Sequence, residues 1–104
     1  MCSSLQTIDL ANIKYIGKTA FGECSGLIDV FIPNMVDIIQ DNAFWGCTGL
    51  RNVKINNGVE EINQLAFANC TSLRNITLPP SISIIRQNAF EGTGLVDVRV
   101  EGRT

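Results

Sequence analysis

A cysteine stands at positions 2, 24, 47 and 70, and the same order of residues follows it each time. After Cys24 come Leu27, Val30, Ile32, Val36, Ile39, Ala43 and Phe44; after Cys47 come Leu50, Val53, Ile55, Val59, Ile62, Ala66 and Phe67. Cys70 opens a further copy with Leu73, Ile76, Leu78, Ile82, Ile85, Ala89 and Phe90. The unit at Cys2 gives Leu5, Ile8, Leu10, Ile13, Ile16, Ala20 and Phe21 once one residue is dropped between Leu10 and Ile13. A period of 23 residues held this closely implies units that fold alike and bury their apolar faces against one another. The 104 residues hold about four and a half such units and are read as one domain, 1–104, with no room for a separate catalytic module. Residues that repeat build the scaffold, so function is sought in those that do not.

Each unit opens with Leu-x-x-Val/Ile-x-Leu/Ile, and a fifth copy of that opening runs Leu95, Val98, Val100. Its last two apolar positions alternate with polar ones, the period-2 mark of a half-buried strand. This is the strand pattern of a leucine-rich repeat. The expected fold is therefore a leucine-rich-repeat solenoid of short parallel strands. A turn follows each strand at Pro33-Asn34, Asn56-Asn57-Gly58 or Pro79-Pro80-Ser81, since Pro cannot continue a ladder and Asn-Gly favours reversal. A brief β-branched return follows (Val36/Ile39, Val59/Ile62, Ile82/Ile85), and then about one turn of helix or 3₁₀ ending at Ala43-Phe44 and its equivalents. A Phe in every unit reads as a core spine.

The cysteine intervals of 22, 23 and 23 are the repeat itself, so the thiols are expected in one buried column as reduced structural residues. With no Cys-x-x-Cys and no His in the chain, no zinc site and no cofactor is expected. The absence of His also removes the usual Ser-His-Asp and Cys-His arrangements, and no acidic pair converges, so no enzyme is expected. Net charge is −2 with eight scattered Lys and Arg, which gives no footprint for nucleic acid. No apolar run approaches the roughly 18 residues of a membrane span, and Asp9 and Lys14 interrupt the place of a signal-peptide core.

The unit Cys-x-x-Leu-x-x-Ile-x-Ile-Pro-x-x-Val-x-x-Ile-x-x-x-Ala-Phe resembles the BspA-like, or Treponema-type, leucine-rich repeat. The resemblance is carried by Cys24 to Val36 and Asp41 to Cys47, then by the two units after them, and covers nearly the whole chain. It implies a surface or secreted protein with a role in adhesion to host proteins or other cells. The chain departs from the pattern where Gln40 and Asn63 replace a Gly kept only at Gly17, and where Asn56 replaces the strand-ending Pro. One residue is missing between Phe90 and Leu95, a shortening expected to be absorbed in the turn.

On each strand two side chains are expected to face solvent: Thr7 and Asp9, Asp29 and Phe31, Asn52 and Lys54, Asn75 and Thr77, Asp97 and Arg99. Solenoids commonly bind through such a ribbon. Phe31 is the apolar exception in it and a candidate anchor for a protein or glycan ligand. From this ribbon the candidate ligand-binding residues are Asp9, Asp29, Phe31, Asn52, Lys54, Asn75, Thr77 and Arg99. Trp45 is a second candidate, expected on the turn side, apart from Phe31. Asn69-Cys70-Thr71 and Asn75-Ile76-Thr77 match the glycosylation sequon, although burial of Cys70 counts against the first. Neither end carries a polar capping unit, which points to a segment of a longer array or to end-to-end self-association. The alternative to a binding module is a passive spacer within such an array.

Overall fold

The computed structural model describes residues 6–100 except Asp9 and Ala11, and for Asp97, Arg99 and Val100 the backbone alone. Seven short strands alternate between two sheets. β1 (Asp29–Ile32), β3 (Asn52–Ile55), β5 (Asn75–Leu78) and β7 (Asp97–Val100) form a parallel sheet in that order. The two-residue strands β2 (Ile38–Ile39), β4 (Glu61–Ile62) and β6 (Ile84–Ile85) form a second, also parallel. Thr7 bridges to Asp29 and Ile16 to Ile39, so the first coil joins both sheets by single bridges.

Register follows the repeat. Asp29 pairs with Asn52, Asn52 with Asn75, and Asn75 with Asp97. The last step is one residue shorter than the others, yet the pairing holds. The loss is taken up before the strand, where Thr93 N–H bonds Phe90 C=O and Val96 N–H bonds Arg74 C=O. The turn after each long strand also survives its substitution: Val36 N–H reaches Pro33 C=O, Ile82 N–H reaches Pro79 C=O, and Val59 N–H reaches Asn56 C=O in the coil that lacks the Pro.

The third side of each coil differs from the expected helical turn, and among the described residues there is no helix. It is a run of consecutive turns. Alternate N–H groups bond within the coil, as Ala43 to Gln40, Trp45 to Asn42 and Cys47 to Phe44. Those between them reach the next coil: Asn42 to Gln64, Phe44 to Ala66 and Gly46 to Ala68. Two left-handed residues per coil enforce the alternation. One column is Thr19, Asn42, Leu65 and Asn88; the other is Glu23, Gly46, Asn69 and Gly92, all with φ between 59° and 74°. A helix tolerates no such residue in its interior, and a helix would satisfy its amides within one coil instead of joining two.

Every buried side chain among the described residues is apolar or a cysteine. Phe21, Phe44, Phe67 and Phe90 stack in sequence with ring centroids 5.3, 5.3 and 5.6 Å apart. Cys24, Cys47 and Cys70 are buried and form no disulfide. Cys47 Sγ donates to Phe21 C=O at 3.1 Å and Cys70 Sγ to Phe44 C=O at 3.2 Å, so each thiol ties its coil to the one before. Burial fails in the coil of β6 and β7: Ile85, expected in the core, is 47% exposed and Val98 54%. β6 and β7 are the outermost strands of their sheets among the described residues.

Candidate ligand-binding face

Alternation along the long strands sets the outward face. In β1 Val30 and Ile32 are buried beneath Asp29 and Phe31; in β3 Val53 and Ile55 lie beneath Asn52 and Lys54; in β5 Ile76 and Leu78 lie beneath Asn75 and Thr77. Parallel pairing aligns these residues into two rows. Thr7, Asp29, Asn52, Asn75 and Asp97 form one. Phe31, Lys54, Thr77 and Arg99 form the other, with Arg99 placed by backbone register alone. Asp9 lies outside the described residues.

Phe31 is 60% exposed, an aromatic ring held outward on a rigid strand. It joins Thr7, Ile8 and Asp29 in lining a shallow cleft of about 330 Å³. Within the polar row Asn52 Nδ2 donates to Asp29 Oδ1 at 2.7 Å, which orients both. Trp45 is half-buried in the turn segment of its coil, where its carbonyl accepts from Glu23 N–H at 2.6 Å. The strand face and the turn side are different sides of the coil, so the structure does not bring Trp45 together with Phe31.

A second cleft, of about 390 Å³, opens beside the polar row and is lined by Arg51, Asn52, Ser72, Arg74 and Asn75. Its arginines immediately precede β3 and β5 and occupy one column with Ile28 and Val96, since Arg51 N–H bonds Ile28 C=O and Val96 N–H bonds Arg74 C=O. The ion pairs among the described residues are Lys18–Asp41 and Arg86–Glu61, so neither arginine of the cleft has a carboxylate partner there. Sequence reasoning missed this pair because it took only the strand positions of each unit. The signal was present: Arg51 and Arg74 are 23 residues apart.

The thiols of the column interact: the hydrogen bond with Cys70 holds the Cys47 thiol below its ordinary value. The adjacent Cys47 thiol and burial away from water push the Cys70 thiol well above its ordinary value. A protonated, buried thiol is a poor nucleophile and a poor metal ligand. Among the described residues no group of His, Cys, Asp and Glu is arranged to hold a metal ion. No helix among them is long and apolar enough to cross a membrane.

A family model described as the BspA type leucine rich repeat region matches residues 1–103 in six copies. The chain belongs to that family. Solved leucine-rich repeat structures are similar in fold. A leucine rich cell surface protein of Faecalibacterium prausnitzii A2-165 superposes with a TM-score of 0.79 at 31% identity, over 84% of this chain and 23% of that one. A leucine-rich repeat protein of Bacteroides capillosus matches with a TM-score of 0.76 at 33% identity, over 94% of this chain and 64% of its own. One from Bacteroides ovatus gives 0.64 at 33% identity, over 88% and 30% respectively. This chain thus spans less than two thirds of the length of each. A comparison with curated proteins gives no match.

Proposed function

We propose that this chain is a non-catalytic binding module that uses the outward face of its long-strand sheet for adhesion to a protein or glycan. The observation that carries the reading is Phe31: a 60% exposed aromatic ring on a rigid strand, in register with Lys54 and Thr77 and beside the Asp29–Asn52 pair. A ring carried on a paired strand leaves only its own side-chain torsions to be ordered on binding, and aromatic anchors surrounded by polar groups dominate interface energetics. The cell-surface location of the Faecalibacterium relative supports placing the face where ligands of other cells occur. The experiment is a binding screen of the purified protein against immobilised extracellular-matrix glycoproteins and a glycan array, with Phe31→Ala beside the parent. Loss of capture in the variant at unchanged thermal stability supports the reading. Equal capture by both proteins sinks it.

A second reading rests on the coil of β6 and β7. Ile84, Ile85 and Val98 are exposed there, and the outer edges of both strands can template further pairing. On this reading the chain is a solenoid segment that sets reach within a longer array or stacks end to end on another copy. Sedimentation velocity tests the second form: association that vanishes in Ile85→Glu supports it, and a monomer at high concentration removes it.

A further inference from the structure

Arg51 and Arg74 stand on neighbouring coils, where stacking sets equivalent backbone positions about 4.8 Å apart. Both residues line one cleft, and like charges sharing a cleft favour an anion between them. The chain as a whole carries a net charge of −2, yet the residues lining this cleft with the arginines are Asn52, Ser72 and Asn75, none of them acidic. In the polar row Asp29 is engaged by Asn52 on one side, and the backbone of Asp97 follows Asn75 in register on the other. Neither arginine forms an ion pair among the described residues. Room for the Arg74 side chain comes from Gly94. A Cβ on Gly94 would collide with Arg74 Nη1, so the missing side chain at Gly94 makes the room in which the guanidinium lies.

We propose that this cleft binds an acidic saccharide, with the two guanidiniums on its carboxylate or sulfate group. The inference rests on the reading of the sheet face as a ligand-binding surface. Guanidinium forks match planar oxyanions and give charge-assisted hydrogen bonds. Around them the cleft supplies the amides of Asn52 and Asn75, and the Ser72 hydroxyl. Ser72 donates to Thr48 C=O at 2.7 Å, which leaves its lone pairs to accept from a sugar hydroxyl. Asn52, with Nδ2 committed to Asp29, offers its Oδ1 in the same way. At about 390 Å³ the cleft falls within the range for small ligands. Its lining residues are all polar or charged, which favours a polyhydroxylated ligand over an acidic peptide that would need apolar pockets for tight seating.

The test is a titration of isotope-labelled protein, followed by NMR, with sialyllactose, sulfated lactose, neutral lactose and a triglutamate peptide. Sialyllactose or sulfated lactose is expected to shift the side-chain amides of Asn52 and Asn75 and the Nε signals of Arg51 and Arg74; which one does so separates carboxylate from sulfate. Arg51→Gln and Arg74→Gln should each weaken that binding at least about tenfold while leaving the melting temperature unchanged. Added salt should weaken it too. Lactose binding as tightly as the acidic sugars, tighter binding of triglutamate, or full affinity in Arg74→Gln would overturn the proposal. If no sugar binds while Phe31→Ala still abolishes ligand capture, the cleft proposal fails and the reading of the face stands. If the sugars bind and Phe31→Ala has no effect, the cleft stands and Phe31 is not the anchor.

Discussion

Phe44 and Phe67 stack with ring centroids 5.3 Å apart and planes 2° from parallel. Carbon atoms in contact sit about 3.5–4.0 Å apart, so a centroid distance this long between parallel planes means that the rings slide past one another. That offset is the geometry the ring quadrupole prefers over a face-to-face sandwich. Repetition at Phe21 and Phe90 makes a continuous spine. Phe67→Ala removes a ring that touches neighbours on both sides and should cost about 3–5 kcal/mol. Urea unfolding measures it; a loss under about 1 kcal/mol would mean that the spine is not what holds the coils together.

The turn at Gly58 makes a separate claim. Its φ is +123°, and an added Cβ would run into the Asn34 carbonyl oxygen of the preceding coil. Gly58 N–H donates to Ser81 Oγ at 3.0 Å, and that hydroxyl donates to Val59 C=O at 2.7 Å. Gly58→Ala should cost about 2 kcal/mol or more through backbone strain, and Ser81→Ala about 1–2 kcal/mol through lost hydrogen bonds. Thermal melts of the two variants check both the sizes and their order.

Cys70 predicts a pH dependence. The neighbouring Cys47 thiol and burial raise its folded-state pKa above the ordinary value of 9.0. Below that value the thiol is protonated folded or unfolded, and its contribution is fully present. As pH rises above it Cys70 ionises only in the unfolded chain, which lowers stability by up to about 1.4 kcal/mol per pH unit, while the lowered Cys47 thiol acts in the opposite sense. Urea unfolding at pH 8 and pH 10 should show this loss in the parent and a smaller one in Cys70→Ala. Equal losses in both would remove Cys70 as the cause.

Much of this fold is legible in the sequence because its rules are periodic. Val30 and Ile32 alternate with Asp29 and Phe31, and period two alone decides which pair is buried. Phe44 and Phe67 recur once per coil, which marks a spine before any coordinate is known. The turn side was harder. Its left-handed columns are spelled Thr19, Asn42, Leu65 and Asn88, and Glu23, Gly46, Asn69 and Gly92. Only the Asn and Gly members carry a sequence signal for that conformation. Thr19 and Glu23 adopt it with their N–H groups bonded to Asp41 and Trp45 of the next coil, and a single unit does not contain those bonds. Exposure of Ile85 was hidden for a related reason: its residue type matches Ile39 and Ile62, and only its place on the outermost strand among the described residues distinguishes it.

The candidate face divides the same way. Outward placement of Phe31 follows from alternation, and separation of Trp45 follows from its place after Phe44. Convergence of Arg51 and Arg74 does not follow from either residue alone. Eight cations look scattered along a line, and only folding at its period of 23 sets Arg51 and Arg74 on neighbouring coils.

Phe31→Ala should leave stability within about 0.5 kcal/mol of the parent, as expected for a surface truncation, in contrast to Phe67→Ala. Urea unfolding of the two variants side by side makes the comparison. If the Phe31 variant loses as much as the Phe67 variant, the ring is a core residue and not an anchor.

The central claim is that ligands meet the outward face of the long-strand sheet. NMR shift mapping tests it most directly, using labelled protein and the glycoprotein or glycan captured most tightly in the screen. Changes are expected to concentrate at Asp29, Phe31, Asn52, Lys54, Asn75 and Thr77, with Trp45 and the turn columns unmoved. Changes centred on Trp45, or on Ile85 and Val98, with the strand face silent, would contradict it.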